Sequence, residues 1–247
     1  MKKILLSGLV ASSLVLAAEF DETNKLITHT EFGYISTEGN TQTKTYALES
    51  KIKKGFNKNL FCLNFDGQYA ENQKVATKNK YLIELSYDYE LTSKIAFNYL
   101  LAYKDDKFSG YNYQVYTGPG LAYKAINIEN HNLSLDGNIL YSQDDFEDIQ
   151  HNAGPINGET EDYTSFRAKI SYAWQLLEDL KFSQEISYRT SFEDTENHFI
   201  FSKTAFNSKV SDILSAGISY KVDYANIPAS GKDSADRTLT ATLTVDY

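Results

Sequence analysis

The sequence predicts an all-β protein: a transmembrane antiparallel up-and-down β-barrel of about twelve strands, following an N-terminal signal peptide. Three observations carry that expectation. Apolar and polar residues alternate with a period of two along most of the chain, the first residues are laid out as a secretory leader, and the links between alternating segments differ in length at the two ends. Successive side chains of a strand point to opposite faces, so this alternation gives each segment one apolar and one polar face.

The leader comes first. "MKKILLSGLVASSLVLAAEF" begins with Lys2 and Lys3, stays apolar from Ile4 to Leu16, and reaches small residues at Ala17 and Ala18. The run is too short for a membrane-spanning helix and ends at a small-residue cleavage site, which assigns residues 1–18 to a signal peptide and 19–247 to an outer-membrane barrel domain. No cysteine follows the cut, which argues against a lipid-anchored lipoprotein. Cys62 is the one cysteine of the chain, so no internal disulfide forms. The formal net charge is −9, and losing Lys2 and Lys3 makes the mature chain more acidic still. Phosphate recognition needs clustered Lys and Arg, so nucleic acid is excluded as a partner.

Twelve alternating segments follow, near residues 29–38, 43–53, 60–71, 80–91, 95–104, 111–125, 131–143, 162–174, 181–192, 198–207, 213–224 and 236–247. In "KYLIELSYDYEL" the apolar set is Tyr81, Ile83, Leu85, Tyr87, Tyr89 and Leu91. "SFRAKISYAW" sets Phe166, Ala168, Ile170, Tyr172 and Trp174 against Arg167, Lys169 and Ser171. Two segments read less cleanly. "HFIFSKTAFN" places Phe199 and Phe201 on one face with Lys203, and "GPG" (Gly118, Pro119, Gly120) interrupts its strand, which predicts a bulge or bend. The even-numbered links, such as "GFNKN" and "TSK", are short. Most odd-numbered ones, such as "NQKVATKN" and "DDFEDIQHNAGPINGETE", are longer. Short turns on the periplasmic side and long loops outside are the layout of an outer-membrane barrel, which places the protein in the cell outer membrane of a diderm (Gram-negative) bacterium.

Alternation alone does not say which face is inside, because a soluble barrel reverses the two. The polar faces carry charges of both signs at Glu49, Lys51, Asp66, Glu84, Asp88, Asp136, Arg167, Lys169, Glu185, Arg189, Lys221 and Asp223, all expected to face the lumen. Aromatic residues decide the direction. Tyr87, Tyr89, Tyr123, Tyr172, Trp174 and Tyr247 fall near the expected periplasmic ends, and Tyr103, Tyr113, Tyr188, Phe192, Tyr220 and Tyr224 toward the outer ends. Tyr and Trp gather at bilayer interfaces because an apolar ring with one polar atom suits the headgroup boundary. The apolar faces are therefore expected to meet lipid. On the last strand, Leu239, Leu243, Val245 and the terminal Tyr247 resemble the signal by which barrel-assembly machinery recognises its clients. The expected surroundings are the outer-membrane lipid bilayer and lipopolysaccharide.

The stretch "EFGYISTEGNTQTKTYALESKIKKGF", from Glu31 to Phe56, resembles the YdiY-like salt-induced outer-membrane protein family, a domain-of-unknown-function group of barrels. Its most recognisable feature is the hairpin at Gly39, Asn40 and Thr41, where Gly and Asn tolerate left-handed backbone geometry. The resemblance implies a non-catalytic barrel with a structural or envelope and salt-stress role. It supplies no catalytic residues and no cofactor.

A direct search for chemistry gives little. His198, with Glu193, Asp194 and Glu196 nearby, is the one place where a carboxylate–histidine site could be built at the rim, yet no nucleophile–base–orienter set can be assembled, so no enzyme is expected. In the fourth outer loop Asp144, Asp145, Glu147, Asp148, Glu159, Glu161 and Asp162 offer hard oxygen ligands for a divalent cation, although their spacing matches no EF-hand; the competing reading is a solvated anionic loop. Cys62 is expected to pack on the lumen side. The expected function is a structural or envelope-adaptation barrel, with a narrow, porin-like channel for small solutes or ions as the alternative.

Overall fold

The computed structural model describes residues 26–38, 42–151, 154–156, 158–228 and 233–246. The signal-peptide residues 1–18, the hairpin residues Gly39, Asn40 and Thr41, and the terminal Tyr247 lie outside these. Fourteen strands follow in chain order: β1 (Leu26–Thr37), β2 (Thr43–Phe56), β3 (Asn59–Asn72), β4 (Val75–Glu90), β5 (Ile95–Asp106), β6 (Tyr111–Ile128), β7 (His131–Phe146), β8 (Ile149–His151), β9 (Gly154–Ile156), β10 (Thr160–Leu177), β11 (Leu180–Ser191), β12 (His198–Lys209), β13 (Leu214–Ala225) and β14 (Ala235–Asp246). Twelve of them close into a barrel in the order β1-β14-β13-β12-β11-β10-β7-β6-β5-β4-β3-β2, each paired antiparallel with the strands on either side, β7 with β10 and β1 with β14 at the closure. The remaining two, β8 and β9, form a small hairpin within the longest loop, a segment expected to be irregular.

The two ends of the barrel differ. At one end the links are residues 57–58, 91–94, 129–130, 178–179 and 210–213; at the other they include 147–159, 192–197 and 226–234. One expected long loop is absent. "NQKVATKN" is taken up by strand, and the reversal is a tight turn at Gln73 and Lys74 with φ of 49° and 67°. Two adjacent residues with positive φ are the geometry of a primed hairpin turn, ordinarily built from Asn-Gly or Asp-Gly, so Gln-Lys gave no turn signal.

"GPG" is also not a bulge. The β5–β6 ladder runs through it in constant register, Leu100↔Gly118, Tyr99↔Pro119 and Asn98↔Gly120, and the irregularities of β6 fall at Tyr111/Tyr113 and Lys124/Ile126. The glycines serve close approach instead. A Cβ at Gly118 would lie 3.0 Å from the Leu140 Cα, and one at Gly120 would lie 2.8 Å from the Asn138 Cγ, so β6 can press against β7 only without side chains there.

Apolar side chains point away from the barrel axis. Ile170 is 43 % exposed and Leu243 45 %, and Leu239 and Val245 are exposed beside it, whereas Thr238, Thr240, Thr242 and Thr244 are buried on the inner face of the same strand. A sheet with this pattern has its oily surface outside, as hydrocarbon requires. Two aromatic girdles ring it. Near the short turns Phe61 packs on Tyr87 with ring centroids 5.1 Å apart, His131 stacks on Trp174 at 5.4 Å, and Phe182 packs on Phe206 at 5.1 Å. Near the loops Tyr34 meets Tyr46, Tyr81 meets Tyr103, and His198 lies between Tyr188 and Tyr224. The lipid face also holds polar side chains that bond one another. Thr204 donates to Gln184 Oε1 at 2.6 Å and Gln184 Nε2 donates to Ser202 at 3.0 Å, so these groups satisfy one another where water is scarce.

Among the described residues, the seam between β1 and β14 is the shortest ladder of the barrel. It runs only from His29↔Asp246 to Gly33↔Thr242, while β1 and β2 pair from Leu26↔Lys54 to Thr37↔Thr43. At its short-turn end His29 Nδ1 meets Asp246 Oδ1 at 2.6 Å.

Two predictions follow from this surface and this seam. Ile170→Arg puts a charge into hydrocarbon near mid-strand and should destabilise the barrel by about 2–4 kcal/mol, whereas Ser183→Arg on the inner wall should cost less than about 1 kcal/mol. Urea unfolding from lipid vesicles measures both. Amides of Tyr34–Thr37 that face the seam should exchange hydrogen for deuterium sooner than those facing β2, readable by residue-resolved NMR in detergent.

Candidate functional site

Parity sets the contents of the barrel. Glu49 and Lys51 share the inner face of β2, Asp66 that of β3, Glu84 and Asp88 that of β4, and Asp136 that of β7. Arg167 and Lys169 come from β10, Glu185 and Arg189 from β11, and Lys221 and Asp223 from β13. All of these except Lys221 line one cavity of about 620 Å³, and Lys221 sits fully buried behind it, against Glu49 and Asp66. The cavity extends from Thr92 and Lys94 in a short turn to Phe108, Pro228 and Asp233 in the loops, so it follows the barrel from one end to the other.

Lysines on one side of the seam reach carboxylates on the other. Lys203 Nζ of β12 lies 2.9 Å from Glu31 Oε2 of β1 and 2.8 Å from Glu49 Oε2 of β2. Lys221 of β13 bonds Glu49 and lies 2.8 Å from Asp66 Oδ2 of β3. Lys80 of β4 bonds Asp223 of β13, and Lys78 donates to Thr238 of β14 at 2.9 Å. These contacts join β1–β4 to β12–β14 through the interior and brace the short seam from within. A charge inside a barrel must be paired or hydrated, and here much of it is paired across the lumen.

Arg189 organises a second group near the loops. Its Nη1 donates to Tyr163 Oη at 2.8 Å and Ser142 Oγ at 3.2 Å, Tyr163 in turn donates to Asp144 Oδ2 at 2.8 Å, and the guanidinium lies 4.4 Å from the Phe199 ring centroid and 4.7 Å from that of Tyr116. Phe199 and Phe201 thus share the inner face with Lys203, and the apolar outer face of β12 is Ile200 and Phe206. The alternation in "HFIFSKTAFN" concealed this because inner aromatic residues share the face, Phe199 among them serving the arginine. A third pair, Arg167 to Glu84 at 3.1 Å, crosses from β10 to β4.

Some inner positions were not anticipated. Leu100, Ala102, Tyr116 and Leu140 form a buried apolar cluster with Leu82 against it, so part of the wall is dry. Glu31, Lys53, Lys80, Lys124, Lys181 and Lys203 join the lumen charges, each falling on the polar parity of its strand, which is the signal that could have found them. Cys62 is buried on the lumen side, with its Sγ 3.4 Å from Asn64 Oδ1.

Among the described residues the rim histidine forms no ion pair with a carboxylate. His198 Nδ1 lies 3.1 Å from the Thr195 carbonyl oxygen, and its ring belongs to the outer girdle. In the acidic loop Asp145 accepts from Asn112 at 2.7 Å and Thr160 at 2.6 Å, Asp148 from the Gly158 amide at 2.8 Å, and Asp162 from Gln143 at 2.8 Å. Among the described residues no group of three or more His, Cys, Asp or Glu converges as a metal site.

Residues 30–247 match the family model described as "Protein of unknown function, DUF481". The chain belongs to the DUF481 family. Among curated proteins nothing matches it. Among solved structures the NanC porin is similar over 88 % of this chain and 98 % of that one, with a TM-score of 0.52 and 12 % identity. The COG4313 outer membrane channel from Pseudomonas putida F1 is similar over 95 % and 100 %, with a TM-score of 0.52 and 9 % identity. At such identities the likeness is one of fold: this DUF481 chain has the porin-like fold of an outer-membrane β-barrel.

The ion pairs of the seam are open to direct test. Lys203→Met leaves Glu31, which is 4 % exposed, without its cation, and should destabilise the barrel by on the order of 3 kcal/mol. Adding Glu31→Gln should recover part of the loss in the double-mutant cycle, measured by the same unfolding titration.

Proposed function

We propose that this protein is a narrow, non-catalytic channel in the outer membrane that passes small charged solutes. The observation that carries this reading is the charged cavity reaching from the short turns to the loops. A purely structural barrel has no need of a wet path through its centre, and the interior of a twelve-stranded barrel is wide enough to keep one. On this reading the short turns lie in the periplasm and the loops outside, residues 1–18 direct export, and residues 19–247 form the inserted domain after delivery by the barrel-assembly machinery. The bilayer and lipopolysaccharide are its surroundings. The salt-stress role implied by the YdiY-like resemblance fits a lumen held by ion pairs, since ionic strength weakens such contacts wherever water reaches them.

The pairs that cross the lumen narrow the path, and Lys80 with Asp223 is the clearest obstruction. The purified protein in planar bilayers should therefore give a small, steady conductance, and Lys80→Ala with Asp223→Ala should raise it about twofold or more as the constriction opens. Silence from both proteins would favour the structural barrel instead.

A further inference from the structure

The charges of the lumen are not evenly distributed. Toward the short turns the cavity wall carries Lys51, Lys53, Lys94, Lys124, Lys169 and Lys181, facing Asp88, Asp136 and Glu185. Glu185 is taken by Lys169 at 3.0 Å, and Asp88 accepts a hydrogen bond from Asn98 at 2.5 Å. The other carboxylates of that half are Glu31, Glu49 and Asp66, held by Lys203 and Lys221, and Asp246, which meets His29 and acts on Lys181. This surplus of cations sits in a chain whose net charge is −9.

Lys53 is the most telling member. It is 7 % exposed, lines the cavity, and forms no ion pair or side-chain hydrogen bond among the described residues. The charged and titratable groups that act on it are Cys62, Lys51, Asp88 and Lys169, two of them cations like itself. Its ammonium group opens onto the cavity and is not sealed in the wall, and a second lysine two residues away on the same face of β2 adds repulsion. Such an arrangement is relieved by an anion in the cavity between them.

We propose that the lysines at the short-turn end form a binding site for small oxyanions, centred on Lys51 and Lys53, and that this site makes the channel anion-selective. Lysine heads are compact point charges with rotatable donors, suited to a small phosphate or carboxylate that arrives in any orientation. A focused positive potential inside a low-dielectric wall raises the local anion concentration and excludes cations. The selectivity rests on the channel reading above; the binding site does not.

Two measurements separate these claims. In planar bilayers under a tenfold KCl gradient, the wild-type protein should reverse at a potential of anion-selective sign. Lys51→Gln with Lys53→Gln should lower the chloride-to-potassium permeability ratio about fivefold, Lys53→Arg should keep it, and Lys107→Gln on the exposed loop side should not alter it. Conducting channels whose selectivity ignores the double variant would overturn the selectivity claim. Independently, titration of the detergent-solubilised barrel with inorganic phosphate and with acetate, followed by ¹H–¹⁵N NMR shifts at Lys51 and Lys53, should saturate for wild type and for Lys53→Arg and weaken at least tenfold for the double variant. If the protein is silent in bilayers but still binds phosphate at these residues, the channel reading fails and the site stands. If wild type shows no saturable shift with either anion, the site itself is refuted. Far-ultraviolet circular dichroism and heat-dependent gel mobility verify that each variant is folded.

Discussion

A sheet that meets hydrocarbon must pair its backbone N–H and C=O groups within itself, and the closure of β1 on β14 is where this protein meets that demand with least margin. The ladder there is far shorter than the others. An unpaired polar group facing lipid costs several kcal/mol, so a loosely closed seam would be a liability. The remedy lies inside the barrel. Lys203 and Lys221 on one side of the seam hold Glu31, Glu49 and Asp66 on the other, and the His29–Asp246 contact fastens its end.

This bracing explains why the interior is so highly charged. Long lysine side chains can reach between strands that do not touch, which an apolar core of short side chains cannot do in a barrel of this width. The same pairs then occupy part of the lumen and set how much of it remains open. Closure of the barrel and the width of its lumen are therefore coupled through the same residues. The apolar cluster around Leu100 and Leu140 makes part of the wall away from the seam dry, and Leu82, Leu100 and Tyr116 line the charged cavity on that side.

The outer surface follows the rules of its solvent. Leucines and isoleucines cover the middle and aromatic rings gather at two levels. A polar cluster at Gln184, Ser202 and Thr204 is closed upon itself by hydrogen bonds. The girdle takes in His131 and His198, whose rings stack with tyrosine and tryptophan, and this accounts for their positions better than chemistry does. Membership of the DUF481 family and the porin-like fold agree with this surface.

By itself the sequence determined the twelve strands of the barrel, the face of nearly every residue and the direction of the barrel, because each follows from period-two alternation and aromatic placement, which are local properties of one strand. It was silent or misleading wherever the answer depends on a neighbour across space. "NQKVATKN" read as a loop because Gln73 and Lys74 lack turn chemistry, and "GPG" read as a bulge because nothing local reveals that β7 presses on it. Phe199 and Phe201 looked misplaced until Arg189 was seen beside Phe199. Only the tertiary structure decided which charge meets which, since Lys203 and Glu31 are brought together by closure of the ring and by nothing in the sequence between them.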